Sequence, residues 1–241
     1  MLSKNQIKLI KSLESKKFRK REGLFVAEGP KVVGDLLRAG YQPLAIFSTE
    51  PHPDAELITD DELHRISFLQ HPQEVLAVFH IPTPQESSNF HLPADICLAL
   101  DGVQDPGNVG TIIRIADWFG ITHIYCSPDT ADVYNPKVVQ ATMGSLAHVQ
   151  ITYCDLVPLL RDAAVPVYGT LLDGQDIYQQ PLSREGVIVM GNEGNGISPE
   201  VRQLVSHKLL IPNFNKNAET AESLNVAIAT AITCSEFRRR F

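Results

Sequence analysis

The sequence has few cysteines and lacks the cysteine and histidine spacings that are typical of metal sites. Its 241 residues include four cysteines, far apart from one another, and neither a CxxC nor an HExxH pattern occurs. Three of the four fall in apolar runs that are predicted to be buried strands, so we expect free, buried thiols in a reducing compartment. Neither a disulfide framework nor a metal site is expected.

Long hydrophobic runs are also lacking, which argues against a membrane protein. No window reaches the about 18 uninterrupted apolar residues that a membrane-spanning helix needs. The start of the chain, MLSKNQIKLIKSLESKKFRKR, has basic residues without a following apolar run and does not resemble a secretory signal. With 44% hydrophobic and 20% charged residues, the composition is that of a globular protein, which we expect to be cytoplasmic.

Positive charge is scarce in the chain as a whole but concentrated at its start. The formal net charge is −7, yet residues 1–22 contain eight Lys or Arg against two Glu, a local charge of +6 that leaves −13 for the remainder. A basic arm on an acidic body suits contact with phosphates. The same segment is compatible with a solvated amphipathic helix that turns Ile7, Ile10 and Leu13 inward. The residues that we predict to bind RNA are Lys16, Lys17, Arg19, Lys20 and Arg21.

Two composition regimes meet near residues 82–94, where PTPQESSNFHLPA contains three prolines among small polar residues. This stretch predicts a linker between two domains, 1–84 and 93–241. Before it, the pattern predicts a small α/β domain that opens with a helix over about residues 3–17. After it, continuous apolar runs alternate with helical segments, which predicts an α/β fold with a parallel sheet and helices on both faces.

Ligands of such sheets bind at loops beyond the carboxyl ends of the strands. The first candidate loop lies in LDGVQDPGNVGTIIRIADWFG (100–120), which leads from a strand into a helix. An ordinary turn with Asn108 or Thr111 as the N-cap would explain most of it. It would not explain Arg114 between two isoleucines, because a charge there predicts a partner or a cleft.

The second loop lies in VIVMGNEGNGISPE (187–200), where three glycines surround Asn192, Glu193 and Asn195 after a strand. Their order is GxxGxG, the reverse of a dinucleotide fingerprint, and Ile197 stands where a P-loop has its lysine. Because Glu193 would repel a pyrophosphate, a ligand with a cationic centre is expected. This pattern disfavours a nucleotide-dependent α/β enzyme.

The third loop lies in LLIPNFNKNAETAESLNVAIATAI (209–232). A strand ends at Pro212, a polar loop follows, and Ser223 and Asn225 stand in the first turn of an apolar helix. Side chains of this kind at a helix start are caps by default. The free N–H groups of the same turn are equally able to hold the polar edge of a ligand.

In this order, the segments DPGNVGTIIRIADWFG, MGNEGNGIS and IP…AESLNVAIATAI resemble the three motifs of the SpoU/TrmH-like RNA 2′-O-ribose methyltransferases of the SPOUT class. RKREGLFVAEGPKVV resembles the opening of that family's substrate-binding domain, so the resemblance spans nearly the whole chain. It implies S-adenosyl-L-methionine as the cofactor and ribosomal or transfer RNA as the substrate. It also implies a C-terminal trefoil knot after a small α/β RNA-binding domain, and a homodimer packed through the last helix and the first-motif helix.

The resemblance also implies roles for individual residues. The catalytic residues would be Asn108, Arg114, Glu193, Ser223 and Asn225. The cofactor-binding residues would be Thr170, Leu171, Leu172, Met190, Gly191, Asn192, Gly194, Gly196, Ile211, Ser223, Leu224 and Asn225. The chain departs from the family between Pro212 and Ser223, where its loop is longer than the usual glycine-containing turn.

Two alternatives stay open at this point. In the family Arg114 is proposed as a base, but an arginine is difficult to deprotonate, so it would alternatively orient the hydroxyl and stabilise developing alkoxide charge. The chain as a whole would alternatively be a non-catalytic RNA-binding or ribosome assembly factor that kept the fold. The presence of all five predicted catalytic residues favours the enzyme.

Overall fold

The computed structural model describes residues 2–83, 92–215 and 221–241. Its helices are, in chain order, α1 (Lys4–Ser12), α2 (Lys16–Glu22), α3 (Pro30–Arg38), α4 (Asp60–Ile66), α5 (Pro106–Trp118), α6 (Pro136–Thr142), α7 (Leu156–Arg161), α8 (Pro199–Arg202) and α9 (Val226–Arg239), with a 3-10 turn over Ser145–Ala147. Its strands are β1 (Leu24–Glu28), β2 (Pro43–Ser48), β3 (Glu56–Leu57), β4 (Val75–His80), β5 (Ile96–Asp101), β6 (His123–Cys126), β7 (Gln150–Tyr153), β8 (Val167–Asp176), β9 (Gly186–Gly191) and β10 (His207–Leu210). Among the described helices, none has both the length and the apolarity that crossing a membrane requires.

The chain divides into two compact units. The first contains the described residues 2–83 together with Asp132–His148, and the second contains residues 92–131 and Val149–Phe241. Most of the predicted linker, residues 84–91, lies outside the described residues, so the domain boundary there stays a prediction. No pattern in the sequence indicated that Asp132–His148 would join the first unit.

The first unit is built on a four-stranded sheet in the order β1-β4-β2-β3. Strand β4 runs antiparallel to both β1 and β2. The core of this unit includes Ile10, Leu13 and side chains of α4. The burial of Ile10 and Leu13 confirms that the N-terminal segment is amphipathic. The prediction of one helix over about residues 3–17 was wrong, because the chain turns between Ser12 and Lys16 and forms two helices.

Residues 132–148 pack onto the first unit through α6, which contacts β1. The ring of Tyr134 lies 4.8 Å from that of Phe25, centroid to centroid, and Val138 and Val139 are fully buried. The ammonium of Lys31 donates a hydrogen bond of 2.7 Å to a carbonyl of the same segment. The core of this unit is therefore closed by two separate stretches of chain.

Arg19 on α2 ties these two stretches together from a buried position. Its side chain is 1% exposed, and its Nη2 and Nε donate to Oδ2 of Asp132 at 2.6 and 3.1 Å. Its Nη1 donates to the carbonyls of Leu13 and Glu14 at 2.8 and 2.7 Å. This contact does not fit the predicted RNA-binding role of Arg19, because its guanidinium is turned into the protein and its donors are already used.

The second unit is built on a six-stranded, wholly parallel sheet in the order β10-β8-β9-β5-β6-β7. On one face of its central strands, Ala99 and Val189 share a core with α7 and α8. Their neighbours Leu98 and Ile188 point to the other face and are equally buried, on the side where α9 contacts β9 and α5 packs on α9. The predicted parallel sheet with helices on both faces is confirmed.

Strand β8 is long and carries a bulge. It runs over ten residues, from Val167 to Asp176. Its register with β10 jumps from Gly169 opposite Lys208 to Gln175 opposite Leu209, so residues 170–174 have no partner in the ladder. The backbones then meet closely, since a Cβ on Gly174 would lie 2.5 Å from the carbonyl carbon of Leu209.

Candidate active site

The loop after β5 enters α5 through an aspartate cap. Oδ1 of Asp105 accepts a hydrogen bond of 2.8 Å from the backbone N–H of Asn108, and Pro106 occupies the first helical position. The prediction of Asn108 or Thr111 as the N-cap was wrong, because Asp105 already fills that position. The Asn108 side chain, inside the first turn, is thereby left to bind another loop.

Glu193 joins the loop after β9 to the start of α5. Its Oε1 accepts hydrogen bonds from Asn108 Nδ2 at 3.0 Å and from the backbone N–H of Asp105 at 3.2 Å, and its Oε2 accepts one from the N–H of Gln104 at 3.2 Å. Partial burial raises the pKa of Glu193, but these hydrogen bonds outweigh it and hold the pKa below its ordinary value. The carboxylate is therefore ionised at neutral pH.

Asn225 extends this chain of hydrogen bonds to the third loop. Its Nδ2 donates to Oδ1 of Asn108 at 3.0 Å, while its own Oδ1 caps α9 by accepting from the N–H groups of Ala227 and Ile228 at 2.9 and 3.3 Å. The direction of the chain is fixed at both ends, because an ionised carboxylate only accepts and helix N–H groups only donate. One directed series of bonds thus locks the three motif loops together.

The loop between β9 and α8 is closed on itself. Asn192 and Gly196 exchange two backbone hydrogen bonds of 2.9 Å, and the Asn192 amide donates to the carbonyl of Gly102 at 2.7 Å. A Cβ on Gly191 would lie 2.3 Å from backbone atoms of Gly196 and Ile197, so no side chain fits there. Residues of this closed loop also line a cavity.

A cavity of about 730 Å³ lies between the carboxyl ends of β8, β9 and β10 and the start of α9. Its size falls in the range of about 300–1,000 Å³ that small-molecule sites occupy. Every residue predicted to bind the cofactor lines it, namely Thr170, Leu171, Leu172, Met190, Gly191, Asn192, Gly194, Gly196, Ile211, Ser223, Leu224 and Asn225. The structure thus brings these residues together, while their role in binding stays a prediction.

Sequence reasoning missed three charged residues that also line the cavity, Asp173, Arg202 and Glu222. No motif contains Asp173 or Arg202, and the bulge that brings Asp173 to the wall depends on pairing between distant strands. Together with Glu193, these side chains give the wall three carboxylates against one guanidinium. Such a wall favours a positively charged ligand, as expected from the second loop.

The predicted catalytic residues do not all meet at the cavity. Glu193, Ser223 and Asn225 line it, and Asn108 is hydrogen-bonded to two of them. Arg114 lies six residues after Asn108 on α5, which turns it about 120° away around the helix. It is exposed and bonded to none of the residues that the structure describes, so the expectation of a partner or cleft was wrong within one chain.

Within the described part of the chain, no group of three or more His, Cys, Asp or Glu is arranged to hold a metal ion. Burial raises the pKa of the Cys97 thiol and of the Cys234 thiol to about 12. Such thiols are protonated at neutral pH and are poor nucleophiles. Among the described residues that line the cavity, the polar side chains are amides, hydroxyls, carboxylates and one guanidinium.

Two family profiles cover most of this sequence. That of the SpoU rRNA methylase family matches residues 95–235, and that of an MRM3-like substrate binding domain matches residues 4–77. The chain belongs to the SpoU rRNA methylase family. The family, the fold class and the RNA methyltransferase class predicted from the sequence are confirmed.

Individual relatives match this chain over nearly their whole length. A 23S rRNA (guanosine(2553)-2′-O)-methyltransferase of Bacillus subtilis is 32% identical over 98% of this chain and 97% of its own. An S-adenosylmethionine-bound rRNA methyltransferase from Sinorhizobium meliloti is 32% identical, with a TM-score of 0.86 over 100% of this chain and 96% of its own. A TrmH-family protein from Porphyromonas gingivalis is 46% identical, with the same TM-score over 100% of both chains.

The stabilisation that the Glu193 carboxylate provides is expected to vanish in acid. Because its folded pKa is depressed, this contribution is complete above the unfolded pKa and is lost as the pH falls through the folded pKa. The wild-type protein should therefore unfold at a higher temperature than Glu193→Gln near neutral pH, and the difference should shrink as the buffer becomes more acidic. A difference that is the same at every pH would contradict the assignment.

Asn108→Asp is expected to break the hydrogen-bond chain in its middle. The new carboxylate still accepts from Asn225 but no longer donates to Glu193, and two negative charges meet where one bond was. We expect a loss of about 1–3 kcal/mol in unfolding free energy, measured by urea denaturation. Asn135→Asp is the matched control, because Asn135 caps α6 only as an acceptor and aspartate caps equally well. Equal losses at the two positions would refute this role of Asn108.

Proposed function

We propose that this protein transfers the methyl group of S-adenosylmethionine to a ribose 2′-hydroxyl of ribosomal RNA. The observation that carries the proposal is the cavity that the second and third motif loops line and to which Asn108 ties the first. Its size and its excess of carboxylates suit a small ligand with a positive sulfonium. The relatives named above support a substrate in 23S rRNA, which this protein would meet in the cytoplasm.

The residues at the cavity have distinct tasks in this reaction. When bound, the cofactor would supply an activated methyl group for in-line displacement. The Glu193 carboxylate would add negative potential that favours a sulfonium in the cavity and would hold the loops in register, and Ser223 and Asn225 form the polar edge at the start of α9. The Arg114 guanidinium would orient the incoming ribose and phosphate and stabilise charge that develops on the 2′-oxygen.

The RNA-binding surface that we propose is the exposed face of α2. Lys16, Lys17, Lys20 and Arg21 are exposed there. Arg19 is excluded from this surface, because it is buried and paired with Asp132. The match of residues 4–77 to a substrate-binding domain supports the placement. Since each phosphate contact releases counterions, binding by this face should weaken steeply as salt is added.

We also propose that the protein works as a homodimer, because Arg114 does not line the cavity of its own chain. A stripe along α5 exposes Thr111, Arg114 and Trp118, with Trp118 86% exposed, and the packed helix α9 exposes Ile228 at 52%. Apolar side chains left open in this way are typical of association surfaces. A second copy packed on α5 and α9 would carry its Arg114 toward the cavity.

Ile228→Glu is expected to turn the dimer into a monomer without unfolding it. A carboxylate buried in an apolar interface without a partner opposes association, whereas on an exposed helix face it is harmless. Light scattering at micromolar concentration should show half the wild-type mass, and methyl transfer should fall with it. Ser235→Glu, at an exposed polar position of the same helix, is the control. A wild-type protein that is already monomeric would exclude the proposed homodimer.

The proposed function is tested by mapping ribose methylation in ribosomal RNA from cells with and without the gene. One methylated ribose should disappear in the deletion strain and return with the wild-type gene. It should not return with the Arg114→Ala gene. If every ribose methylation persists and calorimetry detects no binding of S-adenosylmethionine, the protein is a non-catalytic RNA-binding or assembly factor.

A further inference from the structure

The bulge in β8 forms one wall of the cavity. Residues 170–174 are released from the ladder with β10, and the first four of them line the cavity. Along the carboxyl edge of the sheet, the order of strands is β5, β9, β8, β10, with about 4.8 Å between neighbours. Asn108 follows β5 and Glu193 follows β9, whereas Asp173 lies between β8 and β10. Asp173 thus lies further along this edge of the sheet than Asn108 and Glu193.

Asp173 is held there by two cations that use only one of its oxygens. Arg202 Nη2 donates to Oδ2 at 2.6 Å, and Lys208 Nζ donates to the same Oδ2 at 3.1 Å. No hydrogen bond to Oδ1 comes from any residue that the structure describes. These hydrogen bonds, first that of Lys208 and then that of Arg202, lower the pKa of Asp173, so Oδ1 is a charged acceptor at neutral pH. The side chain is 52% exposed and therefore within reach of a ligand.

The ligand's chemistry decides which part of it reaches this oxygen. On the proposed function, the methyl group would lie near Glu193 and Asn225, and the adenosine part would extend toward β8 and β10. The adenosine part of the cofactor carries three hydrogen-bond donor groups, the two ribose hydroxyls and the 6-amino group. The methionine part carries a carboxylate, which Asp173 would repel, and an ammonium, the competing donor that the analogues used in the test leave unchanged.

We propose that Asp173 is a cofactor-binding residue whose free Oδ1 accepts a hydrogen bond from the adenosine part of S-adenosylmethionine. Arg202 and Lys208 keep the carboxylate ionised and aimed. The inference rests on the proposed function, but it adds a specific polar contact that no motif contains. Oδ1 of Asp173 would be a single charged acceptor for an O–H or N–H donor. It would therefore favour adenosine over ligands that lack such a donor.

The test is calorimetric titration of the full-length protein with S-adenosylhomocysteine. Asp173→Ala and Asp173→Asn should each weaken binding by about 10-fold or more, since both remove a charged acceptor. In the asparagine variant the amide oxygen turns to the two cations and the amino group faces the cavity. Glu185→Ala is the matched control, because it removes an exposed carboxylate of the same unit that does not line the cavity, and its affinity should stay near wild type.

Analogues of the ligand identify the donor. The wild-type protein should lose affinity for whichever analogue lacks the bound donor, 2′-deoxy, 3′-deoxy or 6-deamino, and Asp173→Ala should be insensitive to the same change. If the wild type binds S-adenosylhomocysteine and the Asp173 variants bind it equally well, the inference is overturned while the proposed function stands. If the wild type binds none of these ligands, both are overturned. An equal loss in Glu185→Ala would assign the effect to the overall charge of the unit and overturn the role of Oδ1.

Discussion

Arg114→Ala should lower the rate of methyl transfer by about 100- to 1,000-fold, the effect of removing a group that stabilises charge in the transition state. Affinity for S-adenosylmethionine should hardly change, because Arg114 does not line the cavity and is bonded to none of the described residues. Single-turnover methylation of the RNA substrate and calorimetry with the cofactor measure the two quantities separately. A variant that keeps the wild-type rate would show that Arg114 has no catalytic role.

A mixed dimer tells whether Arg114 serves its own chain or the partner. Arg114→Ala keeps an intact cavity, and Gly191→Val keeps the arginine but drives a side chain into the backbone of the next loop. Each variant alone should be inactive. When the two are co-expressed, activity returns only if the arginine of one chain acts at the cavity of the other. Arg114→Lys is a further control, since lysine keeps the positive charge but lacks the planar set of N–H donors of arginine.

Arg19→Met should destabilise the first unit by about 3–5 kcal/mol, the range observed when one partner of a buried ion pair is removed. The substitution deletes four hydrogen bonds and leaves the carboxylate of Asp132, which is 15% exposed, without its counterion. Urea unfolding followed by hydrogen exchange in α2 and α6 measures the loss where it arises. Binding of RNA should weaken as well, because α2 is no longer held in place.

Lys20→Met is the matched control for Arg19. It removes one positive charge from the same helix at an exposed position, so unfolding should change by no more than about 0.5 kcal/mol. Its effect should be confined to RNA affinity and to the salt dependence of that affinity. If Arg19→Met and Lys20→Met unfold at the same urea concentration, the structural role assigned to Arg19 is wrong.

The sequence located the loops of the site correctly because their signals are local. Glycines, small polar residues and the ends of apolar runs mark where strands stop, and the parallel sheet then brings those loops to one edge. Local signals also placed Asn225 at the start of α9. They failed for Asn108, since Asp105 and Asn108, three positions apart, are both good caps and only the structure shows which one is used.

Two further errors depend on contacts between distant parts of the chain. Arg19 was taken for an RNA ligand because its partner, Asp132, is 113 residues away. Asp173 was overlooked because its position follows from a register shift between two strands that are separated in sequence. The expected trefoil knot stays a prediction, as does the effect of the long loop before Ser223, where residues 216–220 lie outside the described residues.

The contribution of Asp132–His148 to the first unit bears on any attempt to retarget this enzyme. A transplant of residues 1–84 onto another catalytic body would leave behind the piece that covers Phe25 and supplies the counterion of Arg19. Conversely, the fragment 93–241 on its own would expose Val138 and Val139 to water and invite aggregation. Recognition modules in this architecture are therefore exchanged as two pieces of chain, which must be swapped together.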